Sequence, residues 1–339
     1  MKIKHLALTI AAVLLTGLGS GTPAQADVSP EENTAYVDVS VATLWTGPDK
    51  LREVDAPSAT NPVDMKKWTT SMSLAQKLQL SSDGMLETQA LYGNKVTILE
   101  RKEDWVKVAV NGQPTPRNAL GYPGWMPASQ LIYNEKYAQK ETKPFVLITS
   151  PTTYLYKNAS LKRKDIELSY NTRLPLEAET KNSYKVVKPN GKPAWISKEA
   201  GHVYKSQADI PAPTGEELVE SGKAFLHLPY LWAGMSGFGF DCSGFTFTIY
   251  QSHGITIPRD SGPQSRSGEA VEMKDLKLGD LLFFAHNQGK GSVHHVAMYA
   301  GDGMMIHSPN SERSVEIIPV NTKGYIEELS GARRYLPLN

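Results

Sequence analysis

The chain contains one cysteine, Cys242, set in Gly239-Phe240-Asp241-Cys242-Ser243-Gly244-Phe245, and two histidines that could serve it, His295 and His307. A lone thiol can build neither an internal disulfide nor a multi-thiolate zinc site, so it is either a small buried residue or a nucleophile. Glycines, an acid and a serine crowd this one, which is a poor composition for a core. Residues Phe245–Tyr250 are apolar or threonine and lead to His253-Gly254, the pattern of a helix with a glycine stop. Cys242 then sits at or just before the first helical turn. The positive end of the helix dipole there favours a thiolate and should lower its pKa. Unpaired N–H groups at the same place could hold the oxyanion of a tetrahedral intermediate.

A thiol nucleophile needs a base. Val293-His294-His295-Val296-Ala297-Met298-Tyr299-Ala300 alternates as a strand, Gly301-Asp302-Gly303 turns, and Met304-Met305-Ile306-His307 returns. With residues 297 and 307 facing each other, His295 and His307 lie on one face as diagonal neighbours, whereas a one-residue slip would separate them. His294 faces the other way. The pattern reads as Cys242 nucleophile, His295 general base and acid, and His307 orienting the imidazole. The rival is zinc held by His294, His295, His307 and His286. Adjacent strand histidines face apart and no His-Glu-x-x-His helix is present, so no metal and no cofactor is expected. His202, His227 and His253 are assigned no role.

These residues need a scaffold. Ile210-Pro211-Ala212-Pro213-Thr214-Gly215 is a Pro-rich linker ending in a helix cap, with Thr214 as N-cap and Glu217 completing a capping box for a helix over 216–226. Upstream, two segments repeat each other. Asp104-Trp105-Val106-Lys107-Val108 leads to Asn111-Gly112, and Ser183-Tyr184-Lys185-Val186-Val187 leads to Asn190-Gly191. Each Asn-Gly reads as a hairpin turn, followed by an aromatic-centred strand at Trp125 or Trp195. Thr43-Leu44-Trp45 plays the part of Tyr154-Leu155-Tyr156. Short strands and close turns predict two small β-barrels. The first copy carries two insertions that the second lacks. One is Thr115–Pro123, with Arg117, Asn118 and Tyr122. The other lies between Trp45 and Trp105, with a helical turn or two around Leu74–Leu80 and then Asp83-Gly84-Met85-Leu86-Glu87. Such insertions can be decoration or can shape a neighbour's site.

Lys2 and Lys4, the apolar run Leu6–Leu18 and the small-residue close Ala24-Gln25-Ala26 form a three-part export signal over 1–26, with cleavage expected after Ala26. A secreted or wall-associated protein without membrane insertion is expected, since no run approaches the ~20 apolar residues of a span. With 36 Lys+Arg against 35 Asp+Glu, loss of the signal's two lysines leaves a charge of −1, which gives no footprint for nucleic acid. A monomer is expected.

Pro229-Tyr230-Leu231-Trp232-Ala233-Gly234, Phe240-Asp241-Cys242-Ser243-Gly244-Phe245, Leu278-Gly279-Asp280-Leu281-Leu282-Phe283-Phe284, and His295-Val296-Ala297-Met298-Tyr299 with Ile306-His307 resemble, in order, the motifs of NlpC-type cell-wall cysteine peptidases over about 215–337. The upstream segments resemble bacterial SH3-like barrels. The resemblance implies two all-β SH3-like barrels (27–140 with insertions, 141–208) followed by an α+β papain-like peptidase domain (209–339). It implies cleavage beside D-glutamate in peptidoglycan, with Cys242 as nucleophile, His295 as base, His307 as third polar residue and the Tyr230 hydroxyl at the oxyanion.

Two barrels before such a domain look like the γ-D-glutamyl-L-diamino acid endopeptidases, which act on peptidoglycan peptides with a free N-terminal L-Ala. That branch implies substrate contacts at Glu87 and Tyr122, which would hold the ammonium, and at Asp241, Ser243, Asp260 and Ser261 in the pocket. Arg259 could instead pair with the α-carboxylate of D-Glu. The rival enzyme is an autolysin of the same chemistry that grips intact wall through its barrels. The non-enzymatic rival, a wall-binding scaffold, should have lost Cys or His.

Overall fold

The valine-rich runs Trp105–Val110 and Ser183–Val187 form strands at the centre of each of two upstream sheets. The computed structural model describes residues 33–337, so the expected export signal lies outside the described residues. The first sheet runs, in spatial order, Leu86–Leu91, Val41–Trp45, Tyr122–Pro127, Trp105–Val110, Lys95–Lys102, Thr34–Val37 and Leu131–Ile132. The second runs Lys164–Ser169, Thr152–Tyr156, Pro193–Ser197, Ser183–Val187, Arg173–Glu179, Phe145–Ile148 and Gly201–Tyr204. Counted along the chain within each sheet, both orders are 3-2-6-5-4-1-7. The sequence repeat is therefore a repeat of topology, and Trp45↔Trp125 in one copy matches Tyr156↔Trp195 in the other.

The two Asn-Gly turns do different work. In the second barrel Val187 pairs with Pro193 across Gly191 (φ 78°), and the hairpin closes as expected. In the first barrel Gly112 also turns at φ 81°, but the residue facing Val110 is Tyr122. That turn opens an insertion instead of closing a hairpin. Asn-Gly dictates a local reversal and leaves open what pairs next.

The other insertion carries a one-turn helix at Ala56–Ala59 and then two longer helices, Met65–Ser71 and Leu74–Ser82. Only the last was expected. The two longer helices carry local start signals: Asp64 accepts from the Lys67 N–H, and Ser73 and Gln76 form a reciprocal capping box. The helix Met65–Ser71 brings Trp68 into the core, fully buried 6.4 Å from Trp45, with its ring N–H donated to Asp55 at 2.8 Å.

After the linker, Thr214 and Glu217 cap the helix Gly215–Lys223 as expected. The helix Cys242–Ser252 packs against a six-stranded antiparallel sheet ordered Glu269–Val271, Leu329–Arg334, Leu281–Ala285, Val293–Gly301, Met304–His307 and Glu316–Pro319. Phe225, Phe240 and Phe245 form an edge-to-face chain in the core between them, at 5.0 and 5.8 Å.

Both barrels are docked on this domain. Trp45, Trp68, Leu86 and Trp125 share one apolar cluster with Leu231, Ala233 and Phe238. Burying Leu231 and Phe238 there stabilises the contact by roughly 1.5–3 kcal/mol each. The second barrel meets the far end of the cysteine helix, through Tyr170 Oη and Ser252 Oγ at 2.5 Å and Asn171 donating to Gln251 at 2.8 Å. Among the described residues no helix is long and apolar enough to cross a membrane.

Candidate active site

Asp241 starts the cysteine helix. Its extended backbone and short carboxylate suit an N-cap, and it accepts the Gly244 N–H at 2.6 Å, making Cys242 the first helical residue. The same carboxylate is held by Arg259, at 2.8 Å from Nη2 and 3.1 Å from Nη1. Arg259 is 1% exposed, and it also donates to Ser243 Oγ at 3.0 Å and to Thr88 Oγ1 of the first barrel at 3.1 Å. This corrects the reading of Arg259 as a partner for a substrate carboxylate, because its guanidinium is buried and already paired. The Asp241 and Ser243 side chains are likewise committed to this network. A part for either in holding a ligand would rest on the backbone.

The expected low pKa at Cys242 is also corrected. Burial pushes the thiol up to about 12, and the neighbouring Asp241 carboxylate adds to the effect. The Val296 N–H, Arg259 and the Ser243 N–H oppose it without winning. An acidic cap has taken the helix terminus that would otherwise favour a thiolate. The upward shift leaves the Cys242 side chain a protonated thiol near neutral pH.

The histidines lie as the expected hairpin register requires, with Met298↔Ile306 and Tyr299↔Met305 paired. His295 Nε2 lies 2.8 Å from His307 Nδ1. His307 Nε2 lies 3.2 Å from Glu316 Oε1, and Glu316 sits directly opposite His307 on the next strand. Burial holds both rings below the ordinary histidine range, His307 at about 3, with the Arg313 charge adding to the effect there and His307 and His294 adding to it at His295. Both are neutral near pH 7. A carboxylate can only accept, so His307 Nε2 carries its proton and Nδ1 is the acceptor. His295 Nε2–H then donates to it, and His295 Nδ1 is left with the free lone pair of a base.

Tyr230 is 7% exposed and close enough to Cys242 and Asp241 for their charges to add to burial in raising its pKa. Its hydroxyl therefore keeps its proton and can donate to a developing oxyanion.

The first barrel's insertions reach this site. Tyr122 Oη donates to both oxygens of Asp260, at 3.1 Å each. Arg117 clamps Glu87 with two bonds, one of them at 2.8 Å, and reaches Tyr122 Oη at 3.3 Å. Asp260 precedes the short helix Ser261–Ser265, which puts half-buried Ser261 beside it. Glu87, Tyr122 and Asp260 are thus brought together, next to the Arg259–Asp241 pair that leads to Cys242. Sequence reasoning missed two functional candidates here. Glu316 could be found only by placing a third strand in register, and Arg117 was noticed in its insertion without a partner.

The four histidines of the zinc reading fall into two groups. His295 and His307 form the pair above, whereas His286 and His294 stack on each other at 4.2 Å, with His294 bonded to Glu328.

The NlpC/P60 family profile matches residues 227–334. Residues 148–204 match the YKFC SH3b2 domain, and residues 80–114 match the bacterial dipeptidyl-peptidase Sh3 domain. A gamma-D-glutamyl-L-lysine dipeptidyl-peptidase of Bacillus cereus is 65% identical over 91% of this chain and 92% of its own length. One of Bacillus subtilis is 40% identical over 87% of this chain and 96% of its own. The crystal structure of an NlpC/P60 family protein from Bacillus cereus superposes with a TM-score of 0.88 at 66% identity, covering 90% of this chain and all of that one. Two SH3 domains set before a papain-like core with a cysteine at a helix start and a buried histidine pair make this chain a member of the NlpC/P60 family of cysteine peptidases.

Proposed function

We propose that the enzyme hydrolyses the γ-D-glutamyl–L-diamino acid bond of peptidoglycan-derived peptides that carry a free N-terminal L-Ala, releasing L-Ala-γ-D-Glu in murein peptide degradation or recycling. Full-length relatives named for γ-D-glutamyl-L-lysine point to lysine as the diamino acid. The observation that carries the reading is the contact of Tyr122 with Asp260, which draws the first barrel's insertions against the cysteine helix's neighbour. Glu87 and Tyr122 there offer a carboxylate and a phenol oxygen to an ammonium, and a wall at that end disfavours a longer chain. Asp260 and Ser261 line the same end.

In the reaction, Cys242 Sγ attacks the γ-carbonyl carbon of D-Glu as its proton passes to His295 Nδ1. Tyr230 Oη–H and the N–H groups at the helix start stabilise the oxyanion. His295 then gives the proton to the departing lysine amine, the C–N bond breaks, and a thioester remains. Water, deprotonated by His295, attacks the thioester and frees the dipeptide and the thiol. His307, held by Glu316, keeps the base in the working tautomer.

Export with cleavage after Ala26 and action as a monomer complete the reading. Mass determination of the protein recovered outside the cell, and light scattering of the purified protein, test these two points.

The principal test is mass spectrometry of the protein incubated with L-Ala-γ-D-Glu-L-Lys and, separately, its N-acetylated form. Lysine released from the free peptide alone supports the reading. Cleavage of both favours the autolysin reading, and cleavage of neither, or of a diaminopimelate peptide only, overturns the lysine assignment.

A further inference from the structure

On the reverse side of the strand that carries His295, three residues from three backbone segments converge. His286 follows Ala285, which pairs with Val293. His294 follows Val293. Glu328 precedes Leu329, which pairs with Phe284. Their positions are therefore set by sheet register. The loop between the two histidines is closed by its own backbone: His286 N–H donates to Ser292 at 3.1 Å, Gly291 N–H donates to His286 at 2.8 Å, and Asn287 and Gln288 take the left-handed conformation.

The side chains match this convergence. The imidazoles of His286 and His294 stack at 4.2 Å with 18° between their planes, and His294 Nε2 lies 2.9 Å from Glu328 Oε2. One ligand atom from each of the three lies within 4.8 Å of the others. All three remain accessible, His294 and Glu328 at 33% and 36% of their side-chain surface. Two imidazoles and one carboxylate form the donor set of a divalent first-row metal, three protein ligands leaving a fourth position for water. A framework that already holds the three together reduces the ordering cost of binding.

We infer that His286, His294 and Glu328 form a surface site for a divalent transition metal, typified by Zn2+, separate from the catalytic pair. Glu328 ends the short helix Tyr325–Glu328, whose Tyr325 ring lies 5.6 Å from His295 and 5.1 Å from His307. A metal on Glu328 would pin the segment that walls the two histidines.

The test is calorimetric titration of Zn2+ into the mature protein carrying Cys242→Ala, so that thiol binding is not counted and turnover is not needed. One equivalent of Zn2+ is expected, with a matching rise in melting temperature. In that background His286→Ala and Glu328→Gln should each weaken binding about tenfold or more, and His286→Ala with His294→Ala should abolish it. These side chains are at the surface, and an unchanged circular dichroism spectrum checks that each variant folds. Absence of binding, or binding unaffected by loss of both histidines, overturns the site.

Discussion

His307 Nε2 lies 3.2 Å from the carboxylate of Glu316, its direct cross-strand partner, and through His307 that contact determines which nitrogen of His295 is free to accept a proton. Glu316 is itself anchored by Arg313 at 2.7 Å. His295 is thus oriented through a chain of contacts, His307 then Glu316 then Arg313, of which only His307 touches its imidazole.

Glu316→Gln should lower kcat by roughly tenfold to a hundredfold with little change in KM, because the amide can donate as well as accept and no longer enforces one tautomer. His307→Ala should cost more. Steady-state kinetics on the free tripeptide checks both, and a KM effect larger than the kcat effect would count against a positioning role.

Cys242→Ala should lower turnover about a thousandfold or more without loss of folding. The buried thiol, held up at about 12, makes a second prediction. Alkylation of the free enzyme by iodoacetamide should still be accelerating above about pH 10, where an ordinary exposed cysteine is largely ionised and its rate has levelled off. A plateau near neutral pH would reveal a thiolate already formed.

Arg117 occupies the carboxylate that the substrate ammonium would need. Arg117→Ala should therefore lower KM for the free-amine peptide and leave kcat unchanged, whereas Glu87→Gln should raise KM for that peptide more than for its acetylated form. Parallel kinetics on the two peptides decides both.

Arg259→Met removes one partner of a buried ion pair and should destabilise the protein by about 3–5 kcal/mol. Denaturant unfolding of the purified variant gives the value. A cost below about 1 kcal/mol would place Arg259 outside the structural core of the site.

The folded pKa of His307, about 3, lies below its ordinary 6.5, so the unfolded chain binds the proton first. Stability should be insensitive to this group above pH 6.5 and fall as pH drops from there toward 3. His307→Gln should flatten that part of a melting-temperature profile against pH.

Much of this was legible before the structure. The Gly stop at Gly254, the Thr214–Glu217 box and the 297–307 register follow from local rules of turn, cap and pleat, and they bring His295 to His307. What was not legible is set by burial and by non-local pairing. The helix terminus beside Cys242 favoured a thiolate only until Asp241 and a closed core were counted. Arg259 looked like an available cation because its partner lies 18 positions away and its second neighbour, Thr88, belongs to another domain. The helix around Trp68 was hidden in an insertion that has no counterpart in the second barrel.

The docking of both barrels has a consequence for reach. A wall-gripping module on a slack Pro-rich leash would let the thiol sweep a volume around its anchor. Here Phe238 and Leu231 are locked among the tryptophans of one barrel, and Ser252 and Gln251 are fastened to the other. The linker at 210–214 spans bodies that already touch, so the barrels brace the cysteine domain at two separate places and hold the thiol at a fixed distance from any surface they would grip.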